Sequence, residues 1–471
     1  MDKTTIRGHF NRIAKDYDHW KHANSFYYSA LKDFYRNCVP PGQRVLELGC
    51  ATGDILDSVN PSFGVGIDNS EAMLGIASSK HPRHKFIVSD AQDLALKAKF
   101  QYVIMCDLLD HVTDIWMVLQ EAQGTLDEGG FLVLNTINPL WSVLFGIFEK
   151  LKLKMPEGEH NFVSLPDIKS LLSLFPFNIE DSGYFMLIPK TLLGIGPFVN
   201  RIASRIPGLR ALCLCQYAIL KKTADGIDKK LPSVTIVIPC FNEEGNVDTC
   251  ASRIPSMAPN QEIIFVNDGS TDRTEQKIRD LMKRDSRVRI ITYTQCQGKG
   301  HAVRRAFQEA RGEILMILDA DMSVMPEDLP KFYLALASGR ADFVNGTRMI
   351  YPVKTSMHLL HIFGNKVFSI LFSWLLGQHI TDTLCGTKAF FKRDYDRIKK
   401  LFKDDPWGDF DFLLGAADLK LRIKEMPINY QCRVAGSSKM KPFKHGFILL
   451  LRVLRGFKEL KINALFGRKK S

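Results

Sequence analysis

Residues 313–329 put two carboxylates where they can do chemistry. An apolar run of strand length, residues 314–318, stops abruptly at Asp319-Ala320-Asp321. A buried strand of this kind delivers both acids to the carboxyl edge of a sheet, where open α/β sheets bind their ligands. Two carboxylates one residue apart can hold a hard divalent cation, Mg2+ or Mn2+, which leaves its other positions to water and substrate phosphates. A polar turn is the plainer reading of Asp-x-Asp alone, so the neighbours decide. Upstream, Gln297-Gly298-Lys299-Gly300 supplies glycines and a lysine suited to a diphosphate. Val266-Asn267-Asp268-Gly269-Ser270-Thr271-Asp272 and Ile238-Pro239-Cys240-Phe241-Asn242-Glu243-Glu244 each read as a strand running into an acidic turn and a helix start.

A second group of candidates lies near the start of the chain. Arg44-Val45-Leu46-Glu47-Leu48-Gly49-Cys50-Ala51-Thr52-Gly53-Asp54 reads as strand, glycine-bearing turn and helix start. Gly49 and Gly53 let the backbone turn tightly and approach a ligand. The turn lacks the G-x-G-x-x-G spacing of dinucleotide sites, and a carboxylate, Glu47, precedes it. A second strand ends at Asp68, an acid suited to accept hydrogen bonds from ribose hydroxyls. A third ends at Asp90, placed for an adenine amino group. A fourth, residues 102–107, is followed by Asp110 and His111, and a fifth covers residues 131–135 after Asp127-Glu128-Gly129-Gly130. Asp110, His111 and His160 are base candidates by position only, and each also suits an ordinary structural place.

These sites need two successive α/β frameworks to position them. The helix after Lys299 buries Ala302, Val303, Ala306, Phe307 and Ala310 at helical spacing. Residues 223–232, polar and punctuated by Gly226 and Pro232, read as a linker. It separates a first domain, residues 1–222, from a second, residues 233–471. Residues 1–40 are helical and aromatic, and either cover a site or simply pack. Residues 138–220 read as an apolar, helix-like lid; the later segment from 191 to 222 carries Arg201, Arg205 and Arg210 and reads as packing on the second domain or as a face that grazes a membrane. Residues 358–376 read as a core helix that could line a lipid groove. Residues 444–462 form a basic amphipathic helix, either a membrane-surface element or a packed one.

Bulk properties narrow the class. A chain of 471 residues should hold two or three domains, and 45% hydrophobic with 24% charged residues is ordinary for a folded protein. The formal charge of +12 suggests an anionic partner: nucleotide, lipid phosphate, membrane surface or nucleic acid. No Arg/Lys-rich nucleic-acid motif is present, so no nucleic-acid partner is expected. Ten cysteines without a C-x-x-C pair suit reduced thiols in a cytoplasmic protein. The first residues lack a signal-peptide core, and no run reaches the ~18 apolar residues that span a bilayer. The expectation is a cytoplasmic protein, soluble or peripheral on a membrane face.

The order of glycine turn and strand-end acids over residues 40–190 resembles the class I S-adenosylmethionine-dependent methyltransferases. That resemblance implies a Rossmann-like domain with Gly49, Cys50 and Gly53 at the methionine part of S-adenosyl-L-methionine and Glu47 among the cofactor-binding residues. It implies Asp68 at the ribose, and Asp90 with Ala91 at the adenine. Ala51 stands where that family more often has glycine.

Over residues 233–445 the four motifs, Ile-Pro-Cys-Phe-Asn-Glu-Glu, Val-Asn-Asp-Gly-Ser-Thr-Asp, Gly-Lys-Gly and Asp-Ala-Asp, resemble the inverting family 2 glycosyltransferases, nearest to the polyprenyl- and dolichyl-phosphate sugar transferases. This implies a GT-A nucleotide-diphospho-sugar transferase fold. It implies Pro239, Phe241 and Glu243 beside the nucleoside, Asp268 on the base, Lys299 near the phosphates, and Asp319, Ala320 and Asp321 at the donor with both acids as metal ligands. Asn345-Gly346-Thr347-Arg348 resembles the family's Gly-x-Arg turn. Residues 382–388 resemble its Asp-x-x-x-Gly-Phe-Arg segment with Lys388 replacing arginine, which loses the bidentate fork. Arg348 and Lys388 thereby become donor contacts, and residues 433–439 resemble an acceptor-side loop. A phosphate acceptor needs no strong base; a hydroxyl acceptor would, and Asp382, then Asp409 and Asp411, are the candidates. Asp409 and Asp411 suit helix caps equally well. The implied partners are a nucleotide-sugar donor and a polyprenyl-phosphate or glycan acceptor.

Overall fold

In the computed structural model of the chain, the buried apolar runs form two separate sheets. The structure describes residues 2–151, 153–156, 158, 160–203, 205–224, 231–351, 359–399, 409–430 and 456–457. Residues 225–230 of the linker, the 433–439 loop and all but residues 456–457 of the 444–462 helix of the sequence reading lie outside them. The chain divides into two units, Met1–Asp225 and Gly226–Ser471. All nine cysteines among the described residues are free thiols. Among the described residues no helix is long and apolar enough to cross a membrane.

The first unit begins with α1 (Lys3–Ala23) and α2 (Ser25–Cys38). Seven strands follow: β1 (Arg44–Leu48), β2 (Phe63–Asp68), β3 (Lys85–Val88), β4 (Phe100–Cys106), β5 (Leu126–Ile137), β6 (Phe177–Phe185) and β7 (Cys215–Lys222). Their order is β3-β2-β1-β4-β5-β7-β6. The first five are parallel, and β7 runs antiparallel between β5 and β6. Five helices, α3 (Asp54–Ser58), α4 (Glu71–Lys80), α5 (Ile115–Thr125), α6 (Ser142–Lys150) and α7 (Leu165–Leu172), precede β6, while α8 (Ile195–Ala203) and α9 (Pro207–Arg210) lie between β6 and β7. Parallel strands covered on both faces explain why Val45 to Leu48 of β1 are all buried, Glu47 included.

The reading of residues 138–220 as a helical lid needs correction, because it contains most of the β6–β7 pair. β6 (Phe-Asn-Ile-Glu-Asp-Ser-Gly-Tyr-Phe) is a polar edge strand, and β7 is buried between its two neighbours. Neither shows a clean two-residue alternation, so periodicity could not separate them from helix.

The second unit holds β8 (Val234–Cys240), β9 (Gln261–Asp268), β10 (Val288–Tyr293), β11 (Ile314–Ile317), β12 (Phe343–Thr347), β13 (Lys388–Phe391) and β14 (Ile423–Pro427), in the order β10-β9-β8-β11-β13-β12-β14. β8 to β11 are parallel, while β13 runs antiparallel between β11 and β12. Helices α10 (Val247–Ser252), α11 (Thr274–Met282), α12 (Lys299–Glu309), α13 (Leu329–Ala337), α14 (Leu359–Leu376), α15 (Lys392–Ile398) and α16 (Asp409–Asp418) complete it. Ala302, Val303, Ala306 and Phe307 of α12 enter a core with Leu315, Phe390 and Phe412. Ala310 joins that core from just past the helix end.

Candidate functional site

In the first unit the turn after β1 is built by backbone. The Gly49 and Cys50 N–H groups both donate to the Ile67 carbonyl, at 2.8 and 2.9 Å, which draws the turn against the end of β2. Gly49 sits at φ +72, and a Cβ there would lie 2.7 Å from Leu108 Cδ1. Only glycine satisfies both conditions. Ala51 also adopts the left-handed region, at φ +44, where a Cβ costs roughly 1–2 kcal/mol. Ala51→Gly is therefore expected to stabilise the chain by about 0.5–1 kcal/mol in a denaturant titration, the unfolded-state cost of glycine taking the remainder.

Asp68 fixes this turn from below. Its carboxylate accepts the Ser70 N–H at 2.8 Å and the Ala51 N–H at 2.9 Å. Burial pushes its carboxyl above the usual range, and those backbone donors oppose the rise. Asp90 accepts the Gln92 N–H at 2.9 Å and pairs with Lys3 Nζ at 2.6 Å. Burial alone would raise its carboxyl; Lys3 and Gln92 hold it below its ordinary value. Ala91 is buried beside it.

Glu47 lies under the turn, 2% exposed, and accepts the Leu56 N–H at 2.8 Å. Burial pushes its carboxyl up to about 8, with the Leu56 N–H and Lys21 offsetting part of that rise. A raised folded value gives stability that is complete below the unfolded value near 4.5 and is lost as pH climbs through about 8. Glu47→Gln cannot ionise, so its urea midpoint should gain on the parent chain from pH about 5 to about 8 and then run parallel. A difference independent of pH would contradict this placement.

Glu47, Gly49, Cys50, Asp68, Asp90 and Ala91 all line one cleft of about 1240 Å³. Gly53 does not line it; it sits at φ +77 behind the turn, where a Cβ would meet the Phe86 ring at 2.9 Å. Helix α1 covers the cleft, which resolves the two readings offered for residues 1–40: Phe10, Tyr17 and Lys21 line it. Lys21 Nζ donates to Thr52 Oγ1 and to Asp54 Oδ2, both at 2.7 Å, pinning α1 to the turn. Despite its burial, Asp54 is held far below the usual carboxylate range by Lys21 and Lys80.

The sequence reading also missed a hydrogen-bonded chain deeper in the cleft. Tyr27 Oη donates to Asp107 Oδ2 at 2.8 Å, Asn135 Nδ2 donates to Asp107 Oδ1, and Tyr35 Oη donates to Asn135 Oδ1 at 2.6 Å. Its partners lie 28 to 100 residues apart; the one available signal was the position of Asp107 at a strand end. Asp110 accepts the Ile137 N–H at 3.0 Å and is 1% exposed, a structural place. His111 and His160 stand with ring centroids 4.6 Å apart on the cleft wall.

In the second unit the strand ends converge as well. Asp268, at the end of β9, accepts the Gln297 N–H at 2.9 Å and the Gly298 N–H at 2.8 Å. Its carboxylate therefore organises the turn that opens α12, a demand additional to the base contact implied by resemblance. That turn delivers Lys299, whose Nζ lies 2.6 Å from Asp319 Oδ1 at the end of β11. Gly386 packs onto this pair so closely that a Cβ would lie 2.4 Å from both Asp319 Oδ2 and Lys299 Nζ. Asp321 accepts the Ser323 N–H at 3.0 Å and stays partly open, while Ala320 is buried between the two acids. The turn carrying Pro239, Phe241 and Glu243 is laced to the turn after β9: the Glu243 N–H donates to Thr274 Oγ1 at 2.8 Å and the Thr271 N–H to Asn242 Oδ1 at 2.8 Å.

Three sequence expectations change here. Asp382, first choice for a base, is 0% exposed and held bidentately by Arg348, Nε at 2.6 Å and Nη2 at 2.8 Å. Burial opposes its charge, but Arg348 overcomes this and keeps the carboxyl below its usual range. An acid so paired positions Arg348 and does not suit proton abstraction. Arg348, in turn, has its fork turned to Asp382 rather than to a donor. Lys388 is also 0% exposed, and its Nζ donates to the Cys385 carbonyl; β13 lies inside the sheet, so the ammonium points into the fold. Glu425, unforeseen, accepts the Thr381 N–H at 2.7 Å and the Asp382 N–H at 3.0 Å, and burial pushes its carboxyl up to about 7. Asp411 is buried in the first turn of α16, and Asp409 opens that helix, its side chain outside the described set.

Among the described residues no group of three or more His, Cys, Asp or Glu side chains could hold a metal ion. Asp319 and Asp321 nevertheless fit a cation that takes only one or two carboxylates and fills its shell with substrate phosphates and water. The Gly49 cradle and Asp68 fit an adenosyl cofactor by the space and the hydrogen-bond acceptors they leave.

A family model described as glycosyl transferase family 2 matches residues 235–398, and one described as methyltransferase domain matches residues 45–130. The dolichol-phosphate mannosyltransferase of Mycosarcoma maydis is 37% identical over 225 residues, 44% of this chain and 74% of that protein. The dolichol-phosphate mannosyltransferase of Pyrococcus furiosus is 36% identical over 215 residues, 44% of this chain and 59% of that one. Glycosyltransferase AglD of Haloferax volcanii is 26% identical over 216 residues, 44% of this chain, and this chain spans only 34% of its length. A crystal structure of an S-adenosylmethionine-dependent methyltransferase from Thermotoga maritima, titled a possible histamine N-methyltransferase, aligns at 20% identity with a TM-score of 0.36, covering 46% of this chain and all of that one.

Proposed function

We infer the chemistry of this chain from its kinship: it belongs to glycosyl transferase family 2 and carries a methyltransferase domain ahead of the family 2 domain. The second unit transfers a sugar from a nucleotide diphosphate donor to a polyprenyl phosphate, with inversion at the anomeric carbon. The first transfers a methyl group from S-adenosyl-L-methionine. The observation that carries the first half of this reading is the convergence of Lys299, Asp319 and Asp321 at one sheet edge.

A sugar leaving a diphosphate becomes oxocarbenium-like while the departing group gathers negative charge. Lys299, brought to the edge by the Asp268-organised turn, supplies fixed positive charge where that develops. Asp319 and Asp321 are the residues that would hold Mg2+ or Mn2+, which would offset the remaining charge on the diphosphate. A lipid phosphate is already an anionic nucleophile and needs no base. The burial and pairing of Asp382 support that acceptor over a hydroxyl, because the leading base candidate is already engaged.

In the first unit the Gly49 turn lets backbone approach the methionine part of the cofactor, and Asp68 and Asp90 stand at two further strand ends for ribose and adenine. S-adenosyl-L-methionine supplies an electrophilic methyl on a sulfonium; the cleft has only to align an acceptor with it. Both reactions would place this protein in the assembly of a methylated, lipid-linked glycan.

Incubating the full chain with a panel of nucleotide sugars, MgCl2 or MnCl2 and a polyprenyl phosphate tests the sugar half. The expected product is a polyprenyl phosphate heavier by one sugar residue, identified by mass. Sugar on a glycan hydroxyl with the lipid phosphate untouched would overturn the acceptor and leave the transfer standing.

A further inference from the structure

Surface helices of a folded unit normally turn their apolar face inward. Two helices of the first unit do the reverse. On α8, Ile195, Phe198 and Ile202 recur at i, i+3 and i+7 and are 59%, 65% and 40% exposed. The inner side of that helix is anchored by polar contacts: the Ile188 N–H donates to Asn200 Oδ1 at 2.8 Å, and Asn200 Nδ2 donates to the Ile188 carbonyl at 2.9 Å. Along and around α6, Leu140, Leu144, Ile147 and Leu151 recur at i, i+4, i+7 and i+11, all exposed, while Phe145 and Phe148 turn inward to the cleft.

The two stripes belong to one surface. Trp141 Nε1 donates to the Leu212 carbonyl at 2.9 Å, and Asn138 Nδ2 donates to the Ala211 carbonyl at 2.9 Å, tying the approach to α6 to the end of the α8–α9 segment. Of the 21 large hydrophobic side chains exposed among the described residues, 12 fall within 140–153 and 192–212. Such clustering exceeds the scatter of single apolar residues that any surface carries.

Charge says what this surface fits. Residues 182–224 contain no aspartate or glutamate but six lysines and arginines. Lys150, Arg201 and Arg205 are exposed beside the apolar stripes. Apolar side chains flanked by cations, with no acid in the 182–224 part and on α6 only Glu149, which pairs with Lys154 at 3.7 Å, match the interface of an anionic bilayer, where chains insert below the headgroups and cations meet lipid phosphates. A protein partner would need no such exclusion of acids.

We propose that the outer faces of α6 and α8, with the 205–212 segment between α8 and β7, form a platform that docks the first unit on an anionic lipid bilayer. Phe145 of α6, with Trp141 and Leu192 just ahead of α6 and α8, lines the methyl-donor cleft, so the platform sets the rim of that cleft at the lipid headgroups.

The test is flotation of the full chain with vesicles of phosphatidylcholine, with and without phosphatidylglycerol. The parent chain should float with the anionic vesicles, less so as salt rises. Phe198→Glu/Ile202→Glu should weaken partition by about tenfold or more. Arg201→Ala/Arg205→Ala should weaken it by about fivefold per cation on the anionic vesicles alone. S-adenosyl-L-methionine binding serves as the folding control for each variant. If the glutamate pair fails that control, Phe198→Trp replaces it, with added emission that brominated lipid should quench. A parent chain that ignores anionic vesicles overturns the proposal, as does a folded glutamate variant that floats unchanged or an unquenched Trp. A dimer that dissociates in the glutamate variant, with no vesicle binding by the parent, gives the face to a second copy and equally overturns it.

Discussion

Replacing Asp321 by asparagine should lower sugar transfer by about two to three orders of magnitude while leaving the second unit folded. Asp321 is partly open and its backbone neighbour contact, the Ser323 N–H on Oδ1, is one an amide oxygen can keep. What the substitution removes is a negative charge at the edge where a divalent cation and a diphosphate would meet. Asp319 alone cannot replace it, because Lys299 stands 2.6 Å from one of its oxygens. The loss should fall on turnover more than on acceptor binding, since charge on the leaving diphosphate grows toward the transition state. Transfer rates with Mg2+ and Mn2+ in both proteins, alongside thermal melting, measure it. Full activity in Asp321→Asn would remove the metal from the account.

Asp382→Ala acts differently, through stability. Arg348 and Asp382 form a buried bidentate pair, with side-chain exposures of 11% and 0%. Removing the acid strands a guanidinium inside the fold, which costs about 3–5 kcal/mol. For a unit of this size that lowers the melting temperature by roughly 6–20 °C. The pair also holds the 345–348 turn: the Arg348 N–H donates to Asp382 Oδ2 at 3.1 Å, and Asn345 Nδ2 donates to the Asp382 carbonyl at 2.7 Å. A base would behave otherwise, since its loss removes activity with little change in melting. Arg348→Met/Asp382→Leu supplies the contrast, because replacing both charges with apolar groups should recover much of the lost stability. A single variant as stable as the parent chain would return Asp382 to the candidates for proton abstraction.

Acids at strand ends were legible because two local signals coincide, an apolar run and a carboxylate at its terminus. Asp68, Asp90, Asp268 and Asp319 were all found this way; β2 and β3 are parallel neighbours, and β9 and β11 flank β8, parallel to it on either side. Partners across the fold were not legible. Lys21 meets Asp54 from 33 residues away, and Tyr27 meets Asp107 from 80. Lys388 looked like a ligand contact because it replaces an arginine within a motif; its burial follows from β13 lying between β11 and β12. No local pattern announces that a lysine's strand is interior. The β6–β7 pair was missed for the converse reason, a polar edge strand beside a buried one.

If one chain carries two independent transfer sites, a crossed measurement separates them. S-adenosyl-L-methionine binding by calorimetry and metal-dependent sugar transfer are measured on Gly49→Val and Asp321→Asn. Gly49→Val places a branched side chain at φ +72 against Leu108, so it should lose the cofactor and keep sugar transfer. Asp321→Asn should bind the cofactor like the parent chain and fail to transfer sugar. Loss of both activities in either folded variant, or of neither in both, would contradict that independence.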